Sequence, residues 1–241
     1  MSLTVTPVPH LSDNYAWLLR APDGSLALCD PGESAPIAAA IDAAGGKLAM
    51  ILLTHHHPDH IDGVPDLVAR YRPQVVGAAA DAHRLPPLDI VLRPGESVEF
   101  GGSKGVVIDT PGHTRGHIAY HFADSDILLC ADTLFSLGCG RLLEGTAEEM
   151  FGSLQRLAAL PDTTLVCCGH EYTESNARFA LTVEPDNAAL RARAAEVKAL
   201  REAGKPTVPT TIAQEKAANP FIRAKTAAEL ARIRTAKDNF R

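Results

Sequence analysis

Apolar positions in the first two-thirds of the chain fall into short runs at residues 15–19, 26–29, 50–53, 106–109, 118–122, 127–130 and 165–168. Each run is bounded by Gly, Pro or Asp, the punctuation of β-strands. Helical spacing of apolar residues lies between some of them, at 35–44 and 148–159. Other runs follow one another without a helix, as 118–122 and 127–130 do across Ala123-Asp124-Ser125-Asp126. Mixed connections of this kind predict packed sheets flanked by helices, not a doubly wound Rossmann sheet. After about Glu171 the strand signals disappear. Residues 175–181, 187–202 and 227–237 read as helices, with Asp186-Asn187 capping the middle one and Gly204-Lys205-Pro206 stopping it. The chain is therefore divided into residues 1–171 and a helical part, 172–241. No internal repeat or low-complexity linker interrupts it.

Length and composition narrow the class. At 241 residues the chain suits one large domain or one domain with a small appendage. Apolar residues make up 46% and charged residues 22%, the balance of a folded soluble protein. No apolar run reaches the roughly 18 residues of a membrane span. The opening MSLTVTPVPHLSDNYAW has no basic stretch followed by an apolar one, so no signal peptide is expected. The five cysteines are odd in number, two are adjacent and none forms a CxxC pair, which argues against disulfides or a cysteine metal cage. Cys29, Cys130, Cys167 and Cys168 lie in the apolar runs and read as reduced core residues, so a cytoplasmic address is expected. The net charge of −6 is uneven: residues 176–241 carry 13 Lys and Arg against 7 Asp and Glu. With a pI of about 5.9 and no continuous basic stripe, nucleic acid is not an expected partner. Some of the C-terminal cations are instead candidates for an anionic substrate.

The densest chemistry is Thr54-His55-His56-His57-Pro58-Asp59-His60, directly after the run 50–53. In an extended loop, positions i and i+2 face the same way, so His55 and His57 can grip one ion. Asp59 and His60, at the start of the next helix, can turn to a second. Imidazole with carboxylate suits Zn2+, Fe or Mn more than Ca2+ or Mg2+. Three further donors, His113, Asp132 and His170, each follow an apolar run beside a small residue. Together the seven groups suffice for a dinuclear site.

The pattern His55-x-His57-x-Asp59-His60 with the later His113, Asp132 and His170 resembles the metallo-β-lactamase superfamily. That resemblance implies an α+β fold, an αβ/βα four-layer sandwich with a helical C-terminal domain. It further implies that His55, His57 and His113 bind one metal, Asp59, His60 and His170 the other, and that Asp132 bridges. Ser12-Asp13-Asn14-Tyr15, Gly138-Cys139-Gly140-Arg141, Cys168-Gly169-His170-Glu171-Tyr172, Asn219-Pro220-Phe221 and Lys237-Asp238-Asn239-Phe240 narrow it to the glyoxalase II (hydroxyacylglutathione hydrolase) family, over essentially the whole chain.

The activity so implied is hydrolysis of S-D-lactoylglutathione, and related 2-hydroxyacylglutathione thioesters, to D-lactate and glutathione by a metal-activated hydroxide, the second step of methylglyoxal detoxification. Asp59 and Asp132 are the expected catalytic carboxylates. The cofactor expected is a pair of divalent ions, Zn2+ first, with Fe or Mn accepted by the same donors. A thiolate leaving group, with a conjugate-acid pKa of about 8.5 to 9, needs no dedicated general acid. The family's glutathione contacts map to Arg141, Tyr172, Arg234 and Lys237, the last two sharing a helix face at i, i+3. Leu143 departs from relatives that carry a Tyr there. Asp30, before Pro31-Gly32, is a candidate to orient a histidine, and His56 is expected to point away from the site. A monomer is expected. The rivals are another hydrolase of this fold, a single-iron persulfide dioxygenase and a metal-bound module without turnover. The C-terminal part argues against the first, and the full donor set against the other two.

Overall fold

Most of the apolar runs become strands buried on both faces, which is why they read as continuous rather than alternating. A computed structural model describes residues 2–240. In chain order the elements are β1 (Thr4–His10), β2 (Asn14–Arg20), β3 (Leu26–Cys29), α1 (Ser34–Ala43), β4 (Leu48–Leu52), α2 (Pro58–Ile61), α3 (Val64–Tyr71), β5 (Gln74–Ala78), β6 (Ile90–Leu92), β7 (Ser97–Phe100), β8 (Ser103–Asp109), β9 (Ile118–Phe122), β10 (Ile127–Ala131), β11 (Leu134–Phe135), β12 (Gly138–Cys139), α4 (Ala147–Ala158), β13 (Leu165–Cys168), α5 (Thr173–Val183), α6 (Ala188–Glu202), β14 (Thr210–Thr211), α7 (Ile212–Ala218), α8 (Pro220–Arg223) and α9 (Ala227–Asp238).

One six-stranded sheet has the order β1-β2-β3-β4-β5-β6 and the other β14-β13-β10-β9-β8-β7, with β11 and β12 as a separate hairpin. Trp17, Leu19, Cys29, Met50 and Leu52 join a core shared with the second sheet, which continues to Leu154 and Leu157 of α4 and Leu230 of α9. The alternate residues Ala16, Leu18, Leu28 and Ile51 pack under α1 and α3 through Ile37, Ile41, Val64 and Leu67. This is the four-layer sandwich expected. Helix α1 has no side-chain cap. Its hold is packing: Ile37 and Ile41 are fully buried, each contributing about 1.5–3 kcal/mol. A third cluster, Leu137, Ala177, Ala180, Leu190 and Ala218, knits α5, α6 and α7 to the hairpin.

Strand direction puts the important loops at one edge. β3 and β4 are parallel, and β8 and β10 both run antiparallel to β9 while β10 is parallel to β13. The segments leaving β3 and β4 therefore emerge together, as do those leaving β8, β10 and β13. The two sheets are pinned there by polar bonds. The Tyr120 hydroxyl donates to Leu53 O (3.0 Å), Ile118 N to Thr54 O (3.0 Å) and the Trp17 indole to Cys168 O (2.8 Å).

Three predicted strands, 26–29, 118–122 and 165–168, match β3, β9 and β13 residue for residue. β1 carries Pro7 and Pro9, which mask its pattern; it is an edge strand paired only with β2, where missing N–H donors are tolerated. The expectation that strands cease after Glu171 is corrected by β14, whose Thr210 and Thr211 pair with Val166 and Leu165. Two residues are too few to leave a periodicity. All five cysteines are free and buried, Cys139 included. Among the described residues, no helix is long and apolar enough to cross a membrane.

Candidate active site

His57 is the N-cap of α2 and Pro58 its first residue, so the chain passes from extended loop to helix within the donor run. The turn splits the donors as the spacing predicts. One ligand atom each of His55, His57 and His113 lies within 4.8 Å of the others, and so does one each of Asp59, His60 and His170. His55 Nε2 is 3.2 Å and His113 Nε2 3.0 Å from His57 Nδ1. His60 Nε2 is 3.4 Å from His170 Nε2. Asp132 stands between the two groups. Its Oδ2 is 3.4 Å from His113 Nε2 and 3.4 Å from His170 Nε2, and its Oδ1 is 3.4 Å from His60 Nε2.

The outer nitrogens decide what the inner ones offer. His113 Nδ1 donates to Arg141 O (2.9 Å), and His170 Nδ1 to Asp13 Oδ1 (2.9 Å). Thr54 Oγ1 gives its proton to Asp30 Oδ2 (2.6 Å) and so accepts from His55 Nδ1 (3.0 Å). In each ring the proton is held outside and the Nε2 lone pair faces the centre. Asp132 Oδ1 is buried with no hydrogen-bond partner. Facing lone pairs and an unpartnered buried carboxylate oxygen are what a cation resolves, and the donor types fit divalent metal ions.

The electrostatics agree. Burial, with neighbouring imidazoles, holds the His55 pKa well below its usual range and His57 down to about 4. Burial opposes ionisation of Asp132, yet the His60 and His170 imidazoles outweigh it and hold the carboxyl far below the usual range. Burial likewise opposes charge on His60, but Asp132, Asp30 and Asp59 outweigh it and push its pKa up to about 9. That surplus of carboxylate around His60 is what a bound cation balances. Asp59 differs from Asp132 in being half-exposed, with Oδ2 accepting from Asn14 Nδ2 (2.9 Å).

Beside this cluster lies a cavity of about 430 Å3 lined by His113, Asp132, Phe135, Tyr172, Arg141, Arg234 and Lys237 among others. The Tyr172 ring stacks on His170 at 4.6 Å between centroids. Lys237 Nζ donates to Ser175 O (3.2 Å) and Oγ (3.0 Å) and keeps one N–H for a ligand. Arg234 is buried, with three of its donors committed to two partners. Nη1 donates to Cys139 O (2.8 Å), while Nε (3.1 Å) and Nη2 (2.8 Å) donate to Asp238 Oδ1. The Arg141 side chain is 71% exposed. Leu143 is exposed and does not line the cavity.

Residues 11–170 match the family model described as the metallo-beta-lactamase superfamily, and residues 171–240 the one described as hydroxyacylglutathione hydrolase C-terminus. The hydroxyacylglutathione hydrolase of Acidiphilium cryptum (strain JF-5) is 57% identical over 237 residues, covering 98% of this chain and 97% of that one. This chain belongs to the hydroxyacylglutathione hydrolase family. Among solved structures, ETHE1 from Myxococcus xanthus is similar at a TM-score of 0.73 and 26% identity, over 98% of this chain and 90% of that one. TTHA1623, solved in a di-iron-bound form, is similar at a TM-score of 0.59 and 30% identity, over 68% of this chain and 91% of that one.

For a member of the hydroxyacylglutathione hydrolase family, the sequence supplied the candidate donors and, among their supports, Asp30 alone. Asp13 and Asn14, noticed only as a motif, hold His170 and Asp59. Asp30 sits at φ 53°, which turns its carboxylate to Thr54 and to within 3.4 Å of His60 Nδ1. His56 points away from the centre, to Asp81. His117 is fully buried, stacked on His55 at 4.7 Å and bonded to Thr110 and Thr133. Asp13 reaches His170 only once the second sheet has packed, and Asn14 and Asp59 meet across 45 residues, so no local signal announced those pairings.

Proposed function

We propose that the chain hydrolyses S-D-lactoylglutathione and related 2-hydroxyacylglutathione thioesters to the 2-hydroxy acid and glutathione. The observation that carries this reading is the pair of inward-facing donor groups joined by Asp132, opening onto a cavity with three cations. His55, His57 and His113 would hold one divalent ion and Asp59, His60 and His170 a second, Zn2+ in first place, with Fe or Mn accepted by the same donors. When bound, such a pair supplies Lewis acidity, which makes water nucleophilic at neutral pH and polarises a carbonyl.

The chain's own residues do the rest. Asp132, facing both groups, fixes their spacing. Asp59, half-exposed and oriented by Asn14, is placed to accept the proton lost by water as its oxygen bonds to the thioester carbon. The C–S bond then breaks, and the thiolate leaves without a dedicated acid. Lys237 and Arg141 offer charge to the glutathione carboxylates. Arg234 offers its two remaining N–H groups from a fixed position, and Tyr172 covers His170 at the cavity wall. In this reading residues 1–171 carry the metal chemistry and residues 172–241 most of the grip on substrate. Support for that division comes from the cavity lining, which takes Tyr172, Arg234 and Lys237 from the C-terminal part and His113 and Asp132 from the first.

The test is reconstitution. Protein stripped by a chelator should be inactive and regain thioester hydrolysis with Zn2+, Fe2+ or Mn2+, while Asp132→Ala should not recover with any of them. Undiminished hydrolysis by stripped protein would exclude the proposal.

A further inference from the structure

Outside the donor cluster, one polar network around a buried aspartate has no part in the chemistry above. Asp81 is fully buried. Its Oδ2 accepts from His56 Nδ1 (2.9 Å), and its Oδ1 accepts from Arg84 Nε (3.1 Å) and Nη2. Arg84 reaches on to Glu144, donating from Nη1 to Oε1 and from Nη2 to Oε2 (3.3 Å). Glu144 Oε2 also accepts from Arg115 N (2.9 Å). Gly116 is required beside it, because a Cβ there would lie 2.3 Å from the Asp81 carboxyl. Arg84 holds the Glu144 carboxyl down to about 2, so this ion pair stays charged at neutral pH.

Its ends make the network informative. His56 lies between His55 and His57 in the donor loop. Glu144 lies in the segment 140–146 that carries Arg141. The same segment touches His113 through Arg141 O and through Glu144 N, which donates to His113 O (3.3 Å). Arg141 itself is largely exposed, and its nearest carboxylate, on Asp238, is 3.9 Å away. No side-chain hydrogen bond holds its guanidinium, so what the fold fixes is the backbone point from which the charge reaches the cavity.

We infer that His56, Asp81, Arg84 and Glu144 form a positioning bridge that fixes the Arg141 segment against the donor loop, and so sets the enzyme's preference for a carboxylate-bearing thioester. The inference rests on the proposed glutathione site, and its test separates the two. Metal-loaded Glu144→Ala, Arg84→Met and Arg141→Ala would be assayed on S-D-lactoylglutathione and on a D-lactoyl thioester of a thiol lacking carboxylates. Asp81 keeps both its partners in Glu144→Ala, so that variant retains its folded core. The bridge predicts that Glu144→Ala and Arg84→Met lower the preference for the glutathione thioester about tenfold, through KM and not kcat, at wild-type metal content. Glu144→Gln, which keeps an acceptor for Arg84, should recover part of the loss. A lowered preference in Arg141→Ala alone would overturn the bridge and leave the glutathione site standing. An unchanged preference in Arg141→Ala would overturn the bridge, whereas a wild-type enzyme with no preference between the two thioesters would overturn the glutathione site itself. Equal losses on the two thioesters, or loss of metal, would make the network purely structural and also overturn the inference.

Discussion

Gly169 stands between the end of β13 and His170, and the account predicts that it cannot carry even a methyl group. A Cβ there would lie 2.5 Å from Asp132 Oδ1 and 2.7 Å from His60 Cε1. An ordinary contact begins at 3.4 Å, so the carboxylate must retreat by about 0.9 Å and the imidazole by about 0.7 Å. The residue's φ lies outside the left-handed region, so alanine meets no backbone strain and the whole effect comes from those contacts. Its backbone cannot yield easily, because Gly169 N donates to Ala131 O (3.1 Å) and Gly169 O accepts from Tyr15 N (2.8 Å). Metal and catalytic constellations tolerate roughly 0.5 Å of misplacement, and 1 Å costs on the order of a hundredfold in rate. Gly169→Ala should thus lose more than half its bound metal, by elemental analysis of purified protein, and about 100-fold in kcat/KM. The fold should lose only the roughly 1–3 kcal/mol typical of overpacking. Gly152→Ala is the control: its Cβ meets only the far end of Arg156 at 3.5 Å, inside α4. That change should leave activity alone and stabilise by about 0.5–1 kcal/mol. Wild-type metal load and rate in Gly169→Ala would refute the reasoning.

The remaining predictions concern separate parts of the site. Asp132 faces both donor groups and Asp59 only one. Asp59→Ala should therefore bind about one ion per chain and Asp132→Ala should hold neither firmly, counted by metal titration. Burial, with Arg234, Arg178 and Arg141, lowers the Lys237 pKa to about 8. A carboxylate substrate needs its charged form, so KM for the glutathione thioester should be flat below about pH 7 and climb above about pH 8. Lys237→Arg should abolish that climb, because arginine keeps its charge. Asn219 is fully buried, caps α8 through Phe221 N (3.0 Å) and donates to Phe135 O, Gly138 O and Glu215. Asn219→Ala should cost roughly 3 kcal/mol, a lost cap plus stranded buried acceptors, read as a lower denaturant midpoint at unchanged m.

The sequence was most legible where physics is local. Strands buried on both faces announced themselves as apolar runs, and α6 by its Asn187 cap, whose side chain accepts from Leu190 N (3.1 Å). The donor run His55 to His60 was legible because so many ligand types in so few residues have no ordinary structural use. β1 was hidden by its prolines, and β14 by its length. The supports of the site were hidden for a different reason. Asp13 and His170 are 157 residues apart, and Glu215 reaches 78 residues back to hold Leu137 N. Such pairs exist only after the sheets have packed. The resemblance supplied Arg234 as a substrate contact, but the structure adds that its charge is already paired with the Asp238 carboxylate, whereas Lys237 bonds only to Ser175.

The central claim is best tested by steady-state hydrolysis of S-D-lactoylglutathione by the purified, metal-analysed protein, beside the same acyl thioester on a thiol without carboxylates. The account predicts about two ions per chain, rapid turnover of the first substrate and weak turnover of the second. A fully metal-loaded enzyme with no preference between them would contradict it, and would assign the cations around the cavity to some other purpose.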